Sequence, residues 1–413
     1  MKILLIADGR SPITQRWIES MREVNIEVYL ASTYPCPRPE NIAGFYLMPV
    51  AFANFSHKNS PPAPAGPTSA APPPNTQKGL VSRFRGTFMR LRYLLGPVTL
   101  PYYGLKLNRI VNKIKPDAVH ALRIPYEGML GAQLSRKYPL AVSIWGNDLT
   151  LHAKASRLMG RLTTMTLRRA DALAADAARD IRLGKNWGFS AEKQTLVIPG
   201  NGGISLSDIR LIAEDGQARL NWLPQNYHII INPRGFRPGS VRNDTFFKSI
   251  PLVLAQVPNT LFLCCSMAGQ PEALDWISRL KIEKNVILLP TLKQTDLWPL
   301  FQRAEASVSV SQHDGTPNSL LEAMALGCFP IAGDIESVRE WIVPGETGIL
   351  IDPDSPEQLA NAILCALGND DLCKQAAERN RQLILTRAEK SVVSASLAAF
   401  YRSLITSQVE SRR

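Results

Sequence analysis

Residues 307–353 read SVSVSQHDGTPNSLLEAMALGCFPIAGDIESVREWIVPGETGILIDP, and this stretch decides the fold. Val and Ser alternate over Ser307–Ser311, which predicts a short strand. Thr316–Pro317 predicts a helix start, with Thr as N-cap and Pro at the first helical position. The helix continues through Leu320, Leu321, Ala323, Met324 and Ala325, and Gly327 ends it in the left-handed conformation. A strand whose loop opens a helix makes an anion cradle. The N–H groups of Asn318, Ser319 and Leu320 are free of helical partners, and the dipole adds positive potential there. Two acids frame the turn. Asp314 lies in the loop, and Glu322 lies one turn past Asn318 on the same helical face. Glu322 is a carboxylate inside an apolar run, so it needs hydrogen-bond donors. Ribose or sugar hydroxyls would serve, and so would an arginine or another helix N-terminus.

The chain of 413 residues suits two domains, each with a core of its own. At 45% apolar and 20% charged residues, the composition is that of a globular protein. The apolar start ILLIA is too short for a secretory signal, and no apolar run reaches the length of a spanning helix. The six cysteines lack zinc-ligand spacing and read as reduced core thiols of a cytoplasmic protein. The five histidines are scattered, so no metal is expected.

The net charge of +12 suits an anionic substrate, an anionic membrane surface or nucleic acid. Residues 82–115 concentrate it. Arg83, Arg85, Arg90, Arg92, Lys106, Arg109, Lys113 and Lys115 interleave there with Phe, Tyr and Leu. That mixture favours the anionic inner face of a membrane over nucleic acid, for which no reading motif is present. A solvated basic helix face is the plainer alternative. Residues 56–79 are rich in Pro, Ala and Ser and predict a disordered loop within the first domain.

KILLIADG, TQRWIESMREVN and IEVYLAST give a strand, an amphipathic helix and a second strand, the start of a doubly wound α/β domain. Ligands bind at the carboxyl ends of such strands, so Gly9 and Arg10 are candidates to line a cleft; a structural turn is the alternative for Gly9. YPLAVSIWGNDLT is a later strand ending in Trp145-Gly146-Asn147-Asp148, and His120 lies on the strand before it. YHIIINPRGF opens a second domain near Ser205, with Arg234, Arg237 and Arg242 in the loop after its first strand. Three arginines in one strand-end loop suit phosphate oxygens. NTLFLCCSM and NVILLPTL are further strands of that domain.

The acid, seven residues and Glu of Asp314–Glu322, followed by LLEAMALG and by GDIESVREWIVPGETGILIDP, resemble the signature of family-4 retaining glycosyltransferases. The resemblance is close in the C-terminal half and looser in the N-terminal half. It implies a GT-B fold of two doubly wound Rossmann-like domains facing across a cleft. Residues 1–204 would bind the acceptor, residues 205–386 the nucleotide sugar, and residues 387–413 would form a terminal helix returning to the first domain.

The resemblance also assigns roles. Asp314 would hold donor-sugar hydroxyls and Glu322 the ribose. Arg234 or Arg237, with Arg242 and the N–H groups of Asn318, Ser319 and Leu320, would neutralise the diphosphate. Thr291 and Leu292 would hold the base. Trp145, Gly146, Asn147 and Asp148 occupy the place of the family's H-G-x-D-like turn, with Trp145 where many members carry His. Asp148 would orient an acceptor hydroxyl or cap the following helix. PGNGG around Gly200, Gly202 and Gly203 stands in for the family's P-N-G-x-D turn. The implied reaction is hexosyl transfer from a nucleotide-diphosphate sugar to a saccharide or lipid-linked acceptor, with neither metal nor cofactor. An inactive membrane-bound scaffold and a phosphorylase or epimerase on the same fold are the alternatives.

Overall fold

The computed structural model describes residues 1–53, 92–199 and 202–410. The Pro-rich stretch 56–79, the arginines at 83, 85 and 90, and Gly200 lie outside the described residues. Two compact units emerge. One comprises Met1–Ala174, Ile181–Leu196 and Leu397–Arg413, the other Ala175–Asp180 and Val197–Ser396. Among the described residues no helix is long and apolar enough to cross a membrane.

The first sheet has seven strands: β1 (Lys2–Ala7), β2 (Glu27–Ser32), β3 (Gly44–Leu47), β4 (Ala118–Ala121), β5 (Leu140–Ile144), β6 (Ala172–Ala175) and β7 (Gln194–Val197). Their order is β3-β2-β1-β4-β5-β6-β7. The pairings of β1 with β2 and β4 are parallel, as are those of β2 with β3 and β4 with β5. The second sheet has six: β8 (His228–Asn232), β9 (Thr260–Cys264), β10 (Val286–Leu288), β11 (Ala306–Ser309), β12 (Phe329–Gly333) and β13 (Ile349–Ile351). They run β10-β9-β8-β11-β12-β13, parallel throughout. In both sheets the order reverses beside the first strand, leaving a crevice at the carboxyl ends of neighbouring strands.

The near-continuous apolar strands follow from this architecture, because a parallel sheet is covered on both faces. Ile230 packs with Phe262, Phe246 and Phe247 on one side of the second sheet. Its neighbours Ile229 and Ile231 face the other side, with Leu261, Leu263 and Phe301. The helix Asn318–Ala325 is enclosed in the same way. Leu320, Leu321 and Met324 join Trp341 and Ile384, while Ala323 meets the Ile229 side. Burial pushes the thiols of Cys264 and Cys328 well up and that of Cys265 to about 12, and none of the six cysteines is bridged.

A buried polar chain fastens the terminal helix within the first unit. The Trp17 indole donates to the Tyr401 hydroxyl at 3.1 Å, and that hydroxyl shares a 2.6 Å hydrogen bond with His120 Nδ1. His120 Nε2 pairs with Ser143 Oγ at 2.9 Å. His120 is thus a satisfied core group, and burial pushes its pKa down to about 3. The imidazole is neutral in the folded state but takes a proton near pH 6.5 when unfolded. The unfolded chain therefore binds more protons between these values, so this stability is present above pH 6.5 and is lost as pH falls towards 3. His152, pushed down to about 4 by burial first, adds to the same window. Urea unfolding should show stability falling over it by up to about 1.4 kcal/mol per pH unit for each group, with His120→Gln removing one group's share. At pH 7, Tyr401→Phe should cost about 1–3 kcal/mol, because the indole donor loses its acceptor.

Candidate active site

The signature turn is built where β11 and β8 end side by side. Asp314 pairs with Arg234, whose side chain is buried yet keeps an Nε without a partner. Ser311 Oγ stands 3.5 Å from the same Asp314 oxygen. Gly235 allows this loop to turn: its φ is +62°, and a Cβ there would lie 3.0 Å from Ser266 Cβ. Arg237 follows on the solvent side and forms no ion pair with any described residue. The charge of Arg234 first, and desolvation second, lower its pKa. Two guanidinium groups therefore approach each other with one carboxylate between them, an arrangement that an anion would relieve.

Arg242 is placed differently. It is bound by Asp244 at 2.8 Å and paired with Asp354, so its charge is already neutralised. Its ion-pair partners are thus distinct from the Asp314 that holds Arg234.

The helix start differs from the sequence expectation. Thr316 does not cap it. Its N–H donates to Asp176 Oδ2 at 3.2 Å, and its hydroxyl donates to the Asp176 carbonyl and accepts from the Trp341 indole at 3.0 Å. Pro317 takes the cap position, extended and with no capping side chain. The Leu320 N–H turns back to the Pro317 carbonyl at 3.0 Å, so it is not free as expected. Asn318 and Ser319 keep backbone N–H groups without partners among the described residues, and Ser319 Oγ is buried and also unpartnered. Gly327 ends the segment at φ +79°, as read from the sequence.

Glu322 is 3% exposed and accepts from Gln294 Nε2 at 2.5 Å. Gln294 opens the helix that follows Thr291 and Leu292, so this bond fixes Glu322 beside that turn. Thr291 is exposed and Leu292 half-buried, and their N–H groups have no partner among the described residues. The turn itself is pinned through Pro290, whose carbonyl accepts from Ser266 at 3.2 Å.

Asp176 was not read from the sequence. It stands at the carboxyl end of the strand that ADALAADAA encodes, the one position where such a strand tolerates an acid facing a ligand edge. Its carboxylate lies over Gly315, where a Cβ would fall 2.4 Å from both oxygens. Burial first, then Asp180 and Asp314, push its pKa well above the usual carboxylate range. The adjoining backbone is held by Glu340, whose carboxylate accepts from the N–H groups of Ala178 at 2.8 Å and Arg179 at 2.9 Å.

In the first unit, Gly9 donates to Ser32 Oγ at 3.0 Å, and a Cβ on it would lie 2.5 Å from Cys36 Sγ. Arg10 is exposed and gripped by Asp8 in a bidentate pair at 3.0 and 2.9 Å. Trp145 packs edge-on against Trp17, with ring centroids 6.1 Å apart, and donates its indole N–H to the Leu122 carbonyl. Gly146 is buried and Asn147 half-buried in the same turn. Asp148 is fully buried. It accepts from Arg123 Nε at 2.8 Å, from the Ile124 N–H at 3.2 Å and from the Trp145 N–H at 3.3 Å. That makes it a brace between the carboxyl ends of β4 and β5. Among the described residues no group of three His, Cys, Asp or Glu is placed to hold a metal ion.

Two family models match the chain: Glycosyl transferases group 1 over residues 242–383 and Glycosyl transferase 4-like over residues 88–177. Glycogen synthase of Mycobacterium tuberculosis H37Rv is 26% identical over 141 residues, 33% of this chain and 34% of that protein. The chain thus spans about a third of the length of the curated relatives it matches. Sucrose-phosphate synthase from Thermosynechococcus elongatus superposes with a TM-score of 0.72 at 17% identity, covering 98% of this chain and 100% of that one. HepE from Anabaena, in complex with UDP, gives 0.69 at 15% identity, with 98% and 100% coverage. The α,α-trehalose 6-phosphate synthase from Burkholderia multivorans gives 0.71 at 11% identity, with 98% and 99% coverage. At these identities the likeness establishes the fold, a GT-B-like pair of Rossmann-type α/β units, and it is residues 242–383 and 88–177 that are similar to the group 1 and 4-like glycosyltransferases.

The Asp176–Gly315 contact is testable. Gly315→Ala should cost about 1–3 kcal/mol in urea unfolding, and combination with Asp176→Ala should recover part of the loss because the two sites are coupled. An acid whose pKa is raised by folding stabilises most below its unfolded pKa and loses that contribution as pH rises through the folded value. Asp176→Asn should therefore flatten the decline in stability above pH 4, while Asp180 stays paired with Arg179.

Proposed function

We propose that the chain transfers a hexosyl group from a nucleotide-diphosphate sugar to a hydroxyl of a saccharide or lipid-linked acceptor. The anomeric configuration is retained, and the acceptor belongs to surface polysaccharide or glycoconjugate synthesis. One observation carries this reading: Arg234 pairs with Asp314, in the turn that opens a helix with two free N–H groups, and Arg237 lies close enough to feel the Arg234 charge while forming no ion pair with any described residue. The anomeric carbon–phosphate oxygen bond breaks, the acceptor oxygen bonds to that carbon, and the acceptor's proton passes to the leaving diphosphate. The charge that develops on the diphosphate is met by Arg234, Arg237 and the N–H groups of Asn318 and Ser319, with no resident metal. Asp314 holds donor-sugar hydroxyls. Glu322 accepts from the ribose, and the exposed backbone of Thr291 and Leu292 meets the base. Arg242, held by Asp244 and Asp354, contributes less charge to the diphosphate than Arg237 does. The structure of HepE with UDP supports a nucleotide donor.

Thermal shift with UDP-, GDP- and ADP-sugars checks the donor site. One nucleotide should stabilise the wild type by about 2.7 kcal/mol at one hundred times its dissociation constant. Glu322→Ala should abolish that response, and Arg237→Gln should weaken binding about tenfold or more. The anomeric configuration of the product, read by NMR, tests retention; an inverted product would reject it.

We further assign an anionic membrane surface as the protein's site of action. Leu94, Val98, Tyr102 and Leu105 are 58, 71, 68 and 67% exposed. They recur at helical spacing, Leu94 just before Gly96–Thr99 and the other three along it and Leu100–Ile114. Exposed Lys106, Arg109 and Lys113 lie on the same helix. Apolar side chains that embed beside cations that meet lipid phosphate are what such a surface selects. The protein should float with phosphatidylglycerol vesicles at low salt and dissociate at high salt. Val98→Asp with Leu105→Asp should abolish flotation without lowering the unfolding midpoint. A wild type that stays with the aqueous fraction would end this assignment.

A further inference from the structure

The carboxyl edge of the first sheet gathers guanidinium groups that the donor chemistry does not use. Tyr34 follows β2. Arg10 stands 3.8 Å above its ring centroid, and Arg92 stands 5.2 Å from the same centroid. Arg92 also lies 5.1 Å from the ring of Tyr126. Two cations on one ring repel each other unless each is neutralised. Arg10 is neutralised by Asp8, and nearby Arg123 by Asp148. Arg92 forms no ion pair with any described residue, and its Nε is buried without an acceptor.

The remaining titratable neighbours do not supply the missing charge. Glu127 is buried and held by Thr33 Oγ1 at 2.7 Å. Burial pushes its pKa up to about 7, and the cation facing it is Arg123. His152 shares a 2.6 Å hydrogen bond with the Tyr93 hydroxyl and is kept neutral, first by burial and then by Arg123 and Arg92.

The arrangement is also fixed. Tyr126 is buried with a left-handed backbone, φ +67°, which a bulky residue adopts only when its surroundings impose it. Its hydroxyl donates to the Arg92 carbonyl at 2.8 Å, so the strained loop holds the arginine's backbone in place.

We propose that Arg92, which shares the Tyr34 ring with Arg10, forms an anion subsite that takes a phosphate carried by the acceptor. The assignment rests on the glycosyl-transfer reading, in which the first unit receives the acceptor. A phosphate offers tetrahedral oxygens that guanidinium forks from two different elements can share. The phosphate can belong to a soluble sugar phosphate or to a lipid head group. Arg92 leads directly into exposed Leu94 and Val98, which places the subsite at the foot of the apolar stripe.

The test uses the full chain saturated with whichever nucleoside diphosphate stabilises it, so that the donor site is filled. Isothermal titration with inorganic phosphate should show binding that Arg92→Gln weakens by about tenfold and Arg92→Lys partly restores. Arg10→Gln should weaken it less, because Asp8 already spends that charge. Glucose 6-phosphate against glucose, and dihexanoyl phosphatidylglycerol against dihexanoyl glycerol, separate the soluble source from the lipid source. Phosphate affinity equal in wild type and Arg92→Gln would overturn the subsite, as would no binding of any phosphate probe. A wild-type unfolding midpoint and an intact nucleotide response in Arg92→Gln exclude misfolding. If no nucleotide binds, the donor reading fails separately. Titration of phosphate into Arg237→Gln protein then still reads the Arg92 subsite.

Discussion

The contact between Arg234 and Asp314 joins the ends of two neighbouring strands, and the proposed donor site is arranged around it. A buried guanidinium requires a carboxylate, and a carboxylate at this position requires a donor. Each residue therefore holds the other at the carboxyl edge of the second sheet. Because Asp314 is taken by Arg234, it does not fully neutralise the loop: Arg237 remains, pushed by a like charge and facing solvent. The local field is positive without being unstable, as the proposed binding and release of a diphosphate would require.

The second constraint is the way the signature helix begins. An ordinary cap would satisfy the first N–H groups from within the chain. Thr316 is instead turned towards Asp176 and Trp341. The helix thus starts with an extended proline and keeps donors available. Asp176 and Gly315 belong to this device as much as the signature acids do, since the carboxylate occupies the space that a side chain at Gly315 would need.

Much of this was legible in the sequence because it is periodic. The apolar strands, the turn before Asn318, the left-handed Gly327 and the odd carboxylate Glu322 all violate or obey a local rule visible in a single chain. The partner of Thr316 was not legible, since Asp176 lies far away in sequence and sequence shows only that a threonine precedes a proline. Arg242 was grouped with its neighbours because spacing cannot reveal that Asp244 and Asp354 hold it. The fate of Arg92 was hidden for the same reason. A basic stretch shows how many charges exist, and only tertiary structure shows which one has no counter-ion.

The two compact units are not consecutive lengths of chain. The polypeptide passes from one to the other four times, and the short segment Ala175–Asp180 belongs with the second although both its flanks belong with the first. Modular exchange is constrained accordingly. A chimaera joined once near residue 197 would bring a foreign segment in place of Ala175–Asp180; the backbone N–H groups that Glu340 binds would be supplied by any such segment, but the Asp176 carboxylate that accepts from the Thr316 N–H would not. An exchange of the second unit therefore has to carry that hexapeptide together with the C-terminal half, so that the unit is inherited in pieces.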